Sequence, residues 1–241
     1  MSVELRFGEL MLRRSLPVII NSFNQFTYLK NLVEKLEEQQ FKNIVVLDNA
    51  STYQPLLTYY ETLKQENRAV IVYYLENKGP HFFHLSGYYK LFGSIPHFYT
   101  DPDLSFDILA PDFATELVTL AEKYSIFKVG PALEIPGPQE LRDGIYTEYK
   151  GQRYSIPEWE AQYWADTVEP GVYYPGHIDT TFHLFYPANY KKGAAIIDGV
   201  RVGKAGFVFK HLPWVNSFPI PEEELRFYER SSRHSTLKTS K

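Results

Sequence analysis

Short apolar runs alternate with helical periodicity along the first hundred residues. Pro17-Val18-Ile19-Ile20 reads as a buried strand, and the polar loop Asn21-Ser22-Phe23-Asn24-Gln25 follows it. Leu29, Leu32, Val33 and Leu36 then recur at i, i+3, i+4 and i+7, with Thr27 placed to cap that helix. A second strand, Ile44 to Leu47, stops at the polar turn Asp48-Asn49-Ala50-Ser51, and Pro55 opens a helix running through Leu63. A third β-rich run, Ala69 to Leu75, ends at Glu76-Asn77-Lys78-Gly79-Pro80. The pattern then predicts a helix from about His81 to Phe92 and a fourth strand, His97 to Thr100, that leads into Asp101.

Strands separated by helices of about a dozen residues argue for an α/β fold with a mostly parallel sheet covered on both faces. Ligands of such sheets bind at the carboxyl ends of the strands. The polar residues cluster at those ends: Asn21, Asp48, Asn77, Lys78, Asp101 and Asp103. No G-x-G-x-x-G follows the first strand and no G-x-x-x-x-G-K-[ST] occurs, which disfavours a dinucleotide-binding dehydrogenase and a P-loop NTPase.

Beyond Asp103 the pattern changes. Asp112 begins an amphipathic helix carrying Phe113, Leu117, Leu120 and Ala121, and Phe127 to Ile135 reads as a further strand. Residues 136–177 are rich in Pro, Gly, Tyr and Trp and read as long loops with short antiparallel strands, the kind of segment that builds a substrate-facing lobe. His177 to Phe185 reads as a short strand or turn leading to a helix, and Ile196 to Phe209 as a hairpin-like pair about Val202-Gly203. A last helix is expected over residues 221–229, and Ser231 to Lys241 as a flexible tail. The expected organisation is one domain over residues 1–220, with a nucleotide-binding half of about 15–110 and an acceptor half of about 111–220. Residues 221–241 are the C-terminal helix and tail.

The chain of 241 residues is long enough for one large domain. Its lack of cysteine removes disulfides, thiolate metal sites and cysteine nucleophiles. A net charge of −4 with no dominant basic face shows no nucleic-acid footprint. The first sixteen residues mix Glu4, Arg6, Glu9, Arg13 and Arg14 with apolar residues, unlike a signal peptide, and no stretch is long and apolar enough to span a bilayer. A cytoplasmic protein is expected, with peripheral membrane contact left open. Aromatic residues make up 16% of the chain, which fits either an aromatic-rich core or flat faces for a sugar or nucleobase.

Asp101-Pro102-Asp103 is the main chemical candidate. Two carboxylates one residue apart at a strand end can face one Mn²⁺ or Mg²⁺, a cation commonly shared between carboxylates and a substrate diphosphate. Asp48-Asn49 offers an acceptor and a donor for a nucleobase or ribose, or simply a turn. Lys78 suits a diphosphate or solvent. Asp179 suits a general base or a helix N-cap. His211 suits the metal shell opposite Asp103 or a structural role, and Trp159 and Trp164 suit an acceptor wall or packing.

Taken together these segments resemble the GT-A class of glycosyltransferases. The segments are Pro17-Val18-Ile19-Ile20-Asn21-Ser22, Val45-Val46-Leu47-Asp48-Asn49-Ala50-Ser51, Asn77-Lys78-Gly79-Pro80 and Tyr99-Thr100-Asp101-Pro102-Asp103. The first half is similar to the nucleotide-binding part of family-2-like enzymes. His177-Ile178-Asp179-Thr180-Thr181-Phe182 and His211-Leu212-Pro213-Trp214 are similar to a subgroup of small bacterial and viral glycosyltransferases. The resemblance implies a Rossmann-like, mostly parallel sheet flanked by helices, with an irregular acceptor-facing C-terminal half. It implies Asn21, Ser22, Asp48, Asn49, Lys78 and Asp101 at the nucleotide, with Asp103, His211 and Asp101 at the metal. Asp179 is the favoured base, and Trp159 and Trp164 face the acceptor. The implied partners are a nucleoside-diphosphate sugar, UDP-sugar favoured, and a glycan or glycoconjugate acceptor, as in polysaccharide biosynthesis. The usual Asp-Asp after the second strand is Asp48-Asn49 here, and the basic motif of processive synthases is missing, so single transfers are expected. One base suffices for inversion, which is favoured. A sugar nucleotidyltransferase and a non-catalytic carbohydrate-binding module are the alternatives. The first normally carries a Gly-rich basic loop after its first strand, and the second does not require clustered strand-end carboxylates.

Overall fold

The alternation of strands and helices is realised in the computed structural model, which describes residues 3–191, 194–232 and 237–239. The first half runs helix α1 (Val3–Ser15), strand β1 (Val18–Ser22), α2 (Phe26–Glu38), β2 (Ile44–Asp48) and α3 (Gln54–Gln65). It continues with β3 (Val70–Tyr73), α4 (Phe82–Leu85) and β4 (His97–Thr100). The second half holds β5 (Leu104–Ser105), α5 (Phe113–Lys123), β6 (Lys128–Leu133), β7 (Ile145–Tyr149), β8 (Gln152–Tyr154) and α6 (Ile156–Ala161). After these come β9 (Thr167–Glu169), β10 (Val172–Tyr173), β11 (His183–Phe185), β12 (Val200–Val202), β13 (Val208–His211), α7 (Glu222–Ser231) and β14 (Leu237–Thr239).

The central sheet has the order β3-β2-β1-β4-β11-β6-β12-β10-β9, and β13 joins β6 to β5. Its β3-β2-β1-β4 block is parallel, with Ser22 level with Asp48 and Ile20 level with Thr100. Strand β11 runs antiparallel between β4 and β6. Period-2 alternation sends Val18 and Ile20 into the main core with Leu29, Leu32, Val46 and Phe113. Ile19 faces the other side, where Leu47, Phe83, Tyr89, Tyr99 and Phe185 form a second, aromatic core. Much of the aromatic content is therefore core.

Several sequence expectations change. Helix α2 starts at Phe26, so Thr27 lies inside its first turn, and the Thr27 amide and hydroxyl both donate to the Glu224 carboxylate. The helix expected over residues 81–92 divides at Gly87, whose φ of +81° leaves helical space, into α4 and a 3₁₀ segment, Tyr88–Phe92. Residues 177–182 form a turn into β11, and only a one-turn 3₁₀ helix, Pro187–Asn189, follows. Strands β12 and β13 do not pair as a hairpin. Each runs parallel to β6, against residues 129–131 and 132–133 in turn. The intervening turn uses Gly206 at φ +78°, where a Cβ would stand 2.4 Å from the Ala110 nitrogen. The expected tail is structured in part, because β14 pairs antiparallel with β7. Residues 233–236 and 240–241 lie outside the described residues.

Candidate active site

Flush parallel strands place their last polar residues side by side, and these join into one row. Asn49 is its hub: its Nδ2 donates to Asn21 Oδ1 at 3.2 Å and to the Gly79 carbonyl at 3.2 Å, while its Oδ1 accepts from the Lys78 amide at 2.8 Å. Asn21 also lies close to the Asp101 carboxyl, where it favours the ionised form. Asp101 in turn accepts from the Thr180 hydroxyl and donates its own amide to the Thr180 carbonyl at 3.0 Å. The row thus crosses the ends of β2, β1 and β4 and ends on the loop before β11.

Asp48 and Ser22 stand behind this row. Asp48 is 2% exposed, accepts from the Ser51 amide at 3.2 Å, and accepts from the Tyr60 hydroxyl at 3.0 Å. The Tyr60 oxygen lies 3.0 Å from Ser22 Oγ as well. Burial raises the Asp48 carboxyl above the ordinary range, and these hydrogen bonds act against that. Its carboxylate therefore braces the 49–51 turn. Lys78 contributes its amide to the row, while its ammonium pairs with Glu76 and lies 5.6 Å from the Phe82 ring.

At the acidic end, strand β5 pairs with β13, setting His211 level with Leu104 and bringing its ring beside Asp103. The Leu212 amide donates to the Asp103 carbonyl at 2.9 Å. Asp103 Oδ1 is buried without a hydrogen-bond partner, and His211 Nε2 lies 3.7 Å away, beyond hydrogen-bond range. Burial lowers the His211 pKa, partly offset by Asp103. Burial and the neighbouring Asp103 carboxylate push Asp101 well above the usual carboxylate range. Among the described residues no three His, Asp or Glu side chains form a ready-made metal cage. Mn²⁺ and Mg²⁺ are commonly held by one or two carboxylates together with substrate phosphates. An orphaned carboxylate oxygen facing an imidazole nitrogen fits that partial donor set, whereas Asp101 has turned one oxygen to Thr180.

Asp179 sits apart, its side chain 60% exposed, with Oδ1 3.2 Å from His81 Nε2. Its backbone carbonyl accepts from the buried ammonium of Lys128 at 2.7 Å. Trp159 is half-buried among Tyr149, Tyr154 and Tyr163. Trp164 donates its indole N–H to the Leu133 carbonyl at 3.1 Å and packs edge-on to Tyr173, so it pins the lobe to β6. The structure thus brings together Asn21, Asn49, the Lys78 amide and Asp101, sets Asp103 beside His211, and leaves both tryptophans outside that row.

Sequence reasoning missed His81, Lys128, Arg142 and Thr180. The Thr180 hydroxyl follows a motif residue and gave no separate signal. Arg142 donates its amide to the Trp214 carbonyl at 2.7 Å, and its positive charge acts on Tyr28, a residue that also feels the Asp103 charge. Its place beside the acidic end depends on residues 140–142 running against 214–216, a pairing without local signature.

No family model matches the sequence, and no curated protein sequence matches it. In three dimensions the chain is similar to GalNAc-T7 solved with UDP, GalNAc and Mn²⁺, at a TM-score of 0.54 and 13% identity. That alignment covers 90% of this chain and 48% of the other, so the chain spans about half the length of that protein. A mannosyltransferase from Pyrobaculum calidifontis in complex with GDP-Man and Mn²⁺ aligns at TM-score 0.48 and 13% identity, over 97% of this chain and 76% of the other. A putative glucose-1-phosphate thymidylyltransferase from Bacillus anthracis aligns at 0.40 and 12%, over 71% and 72%. The likeness shows the fold: a GT-A, Rossmann-like α/β sheet flanked by helices.

Proposed function

We propose that the chain is a metal-dependent glycosyltransferase that moves a sugar from a nucleoside-diphosphate sugar, UDP-sugar favoured, to a hydroxyl of a glycan or glycoconjugate. The observation that carries this reading is the polar row Lys78–Asn49–Asn21–Asp101 across parallel strand ends, with the orphaned Asp103 oxygen and His211 at its acidic end. The amides and carbonyls of the row suit the base and ribose, and Asp48 and Ser22 hold the turn that presents Asn49. Asp103 and His211, with Asp101 beside them, hold the cation. When bound, Mn²⁺ or Mg²⁺ supplies positive charge against the departing diphosphate.

Asp179 acts as the base. Its exposed carboxylate takes the proton from the acceptor hydroxyl, whose oxygen bonds to the anomeric carbon opposite the diphosphate. The carbon–oxygen bond to the diphosphate breaks and its electron pair leaves with that oxygen, so the anomeric configuration inverts. Trp159, on the half-exposed aromatic patch, offers a stacking face for the acceptor, and Trp164 holds the lobe that carries it.

Calorimetry with UDP, GDP and dTDP, with and without Mn²⁺, tests the reading, followed by a donor screen for nucleotide release. Metal-dependent binding of at least one nucleotide is expected, and its absence for all three sinks the proposal. Asp103→Ala is expected to lose the metal-dependent part of binding. Asp179→Asn is expected to keep binding and to lose transfer by about 10²–10⁴-fold, and undiminished transfer removes Asp179 as base.

A further inference from the structure

Lys128 opens β6 and is 1% exposed, the one lysine in the buried class among the described residues. A buried ammonium is costly unless its donors are satisfied. Two of them are, by consecutive carbonyls of one loop: Ile178 O at 2.8 Å and Asp179 O at 2.7 Å. The next residue, Thr180, is tied to Asp101 through both its hydroxyl and its carbonyl. The loop also lies close on β6. A Cβ at Gly130 would stand 2.4 Å from the Phe182 carbonyl, so that position excludes any side chain. An apolar residue at 128 would serve the burial of the strand. A lysine there serves the two carbonyls.

We propose that Lys128 is a positioning residue that locks the 178–180 loop, setting the direction of the Asp179 carboxylate and the grip of Thr180 on Asp101. It joins the two sides of the reaction, since one loop carries the base and touches the first carboxylate of Asp101-Pro102-Asp103. The inference rests on Asp179 as base for its catalytic consequence, and on the loop geometry alone for the lock.

The titratable groups facing Lys128 are Asp179 and Asp198 from loops, Asp101 after β4, His84 from α4 and His183 from β11. Burial lowers the Lys128 pKa to about 7, with Asp179, Asp101 and Asp198 opposing the shift. His84 and His183 are held well below their ordinary range, chiefly by burial, and stay neutral through that window. Below its pKa Lys128 holds the loop with charge-assisted bonds, which are about twice as strong as the neutral ones left above it.

Lys128→Met tests the lock. Its kcat is expected to fall by about tenfold or more, a larger change than in donor KM or in the Mn²⁺-dependent nucleotide Kd, which shift only through Thr180 and Asp101. The decline of kcat above about pH 7 expected of the unmodified protein should vanish in the variant. An unchanged kcat, or an unchanged alkaline limb, overturns the proposal. Removing a buried ammonium can unfold a protein, so hydrogen exchange of the unmodified chain is the second measurement. The Asp101 amide, bonded to Thr180 O, and the Ile178 amide, bonded to Ile197 O, report loop docking. After correction for intrinsic rates, their protection is expected to drop between about pH 6 and about pH 8.5 while β1 and β2 amides hold. Equal protection at both pH values overturns the lock. Failure of all sugar transfer in the unmodified protein removes the catalytic reading and leaves the exchange result to decide the lock alone.

Discussion

At the scale of single residues, the buried histidines stand out because nothing in the reaction uses them. His84, His97 and His183 lie beside Tyr99 and Phe185, with His84 4.6 Å from both of those rings and 5.8 Å from His183. Each has a buried Nε2 without a hydrogen-bond partner. Burial lowers His97 from 6.5 to about 4, and lowers the other two in the same direction. The unfolded chain takes up these protons near pH 6.5 and the folded chain does not. Stability is therefore complete above that pH and is lost as pH falls through about 4, by roughly 3 kcal/mol for His97 alone. Urea unfolding at about pH 7.5 and about pH 4.5 measures this, and His97→Phe should blunt the loss. Equal stability at both pH values contradicts it. Asn21, Asp101 and Asp103 were legible because a polar residue ending an apolar run is conspicuous. The histidines were not, since a polar letter inside a strand carries no sign of which ring it will meet.

At the scale of elements, the N-termini of α5 and α2 are each closed from outside. The Glu9 carboxylate from α1 accepts from the Ala114 amide at 3.0 Å and the Thr115 amide at 2.8 Å, and Arg13 holds Glu9 at 2.5 Å while donating to the Ala110 carbonyl. Glu224 from α7 takes the Thr27 amide at 2.8 Å and its hydroxyl at 2.6 Å. Neither Gln25 nor Asp112, the residues that precede these helices, makes a side-chain cap. Glu224→Ala is expected to destabilise by about 1–2 kcal/mol in denaturant titration, the cost of losing a good cap, and Glu9→Ala by more, since it also strands the buried Arg13. A change near zero in either contradicts this account. Helices α2, α3 and α5 and strands β1, β2, β4 and β6 were legible from apolar spacing. Their capping was not, because Glu9 and Thr115 are 106 residues apart and Glu224 and Thr27 are 197 apart. For the same reason α1 read as a mixture of charges: its Glu9 and Arg13 face inward to partners far along the chain.

At the scale of the whole molecule, a buried ion pair ties the irregular 136–177 segment to the central sheet. Arg201 on β12 bonds the Glu160 carboxylate of α6 and the His177 carbonyl, and both side chains are buried. Glu160→Ala strands a buried guanidinium and is expected to cost about 3–5 kcal/mol, whereas Glu160→Leu with Arg201→Met should recover most of it. Comparing the variants' unfolding midpoints decides this; equal losses in both show that the ion pair itself is not the link. The parallel block was legible because each strand repeats one pattern, while residues 136–177 were not, since their hairpins and turns are fixed by such distant partners. The Glu224 contact has a consequence at this scale. Helix α2 follows β1 directly at the candidate site, and the free N–H groups opening such a helix are where nucleotide-binding α/β folds often seat a phosphate. Here that seat is already taken by a carboxylate of the protein's own C-terminal helix. On the proposed function, a bound diphosphate would take its positive charge instead from the cation that Asp103 and His211 are proposed to hold.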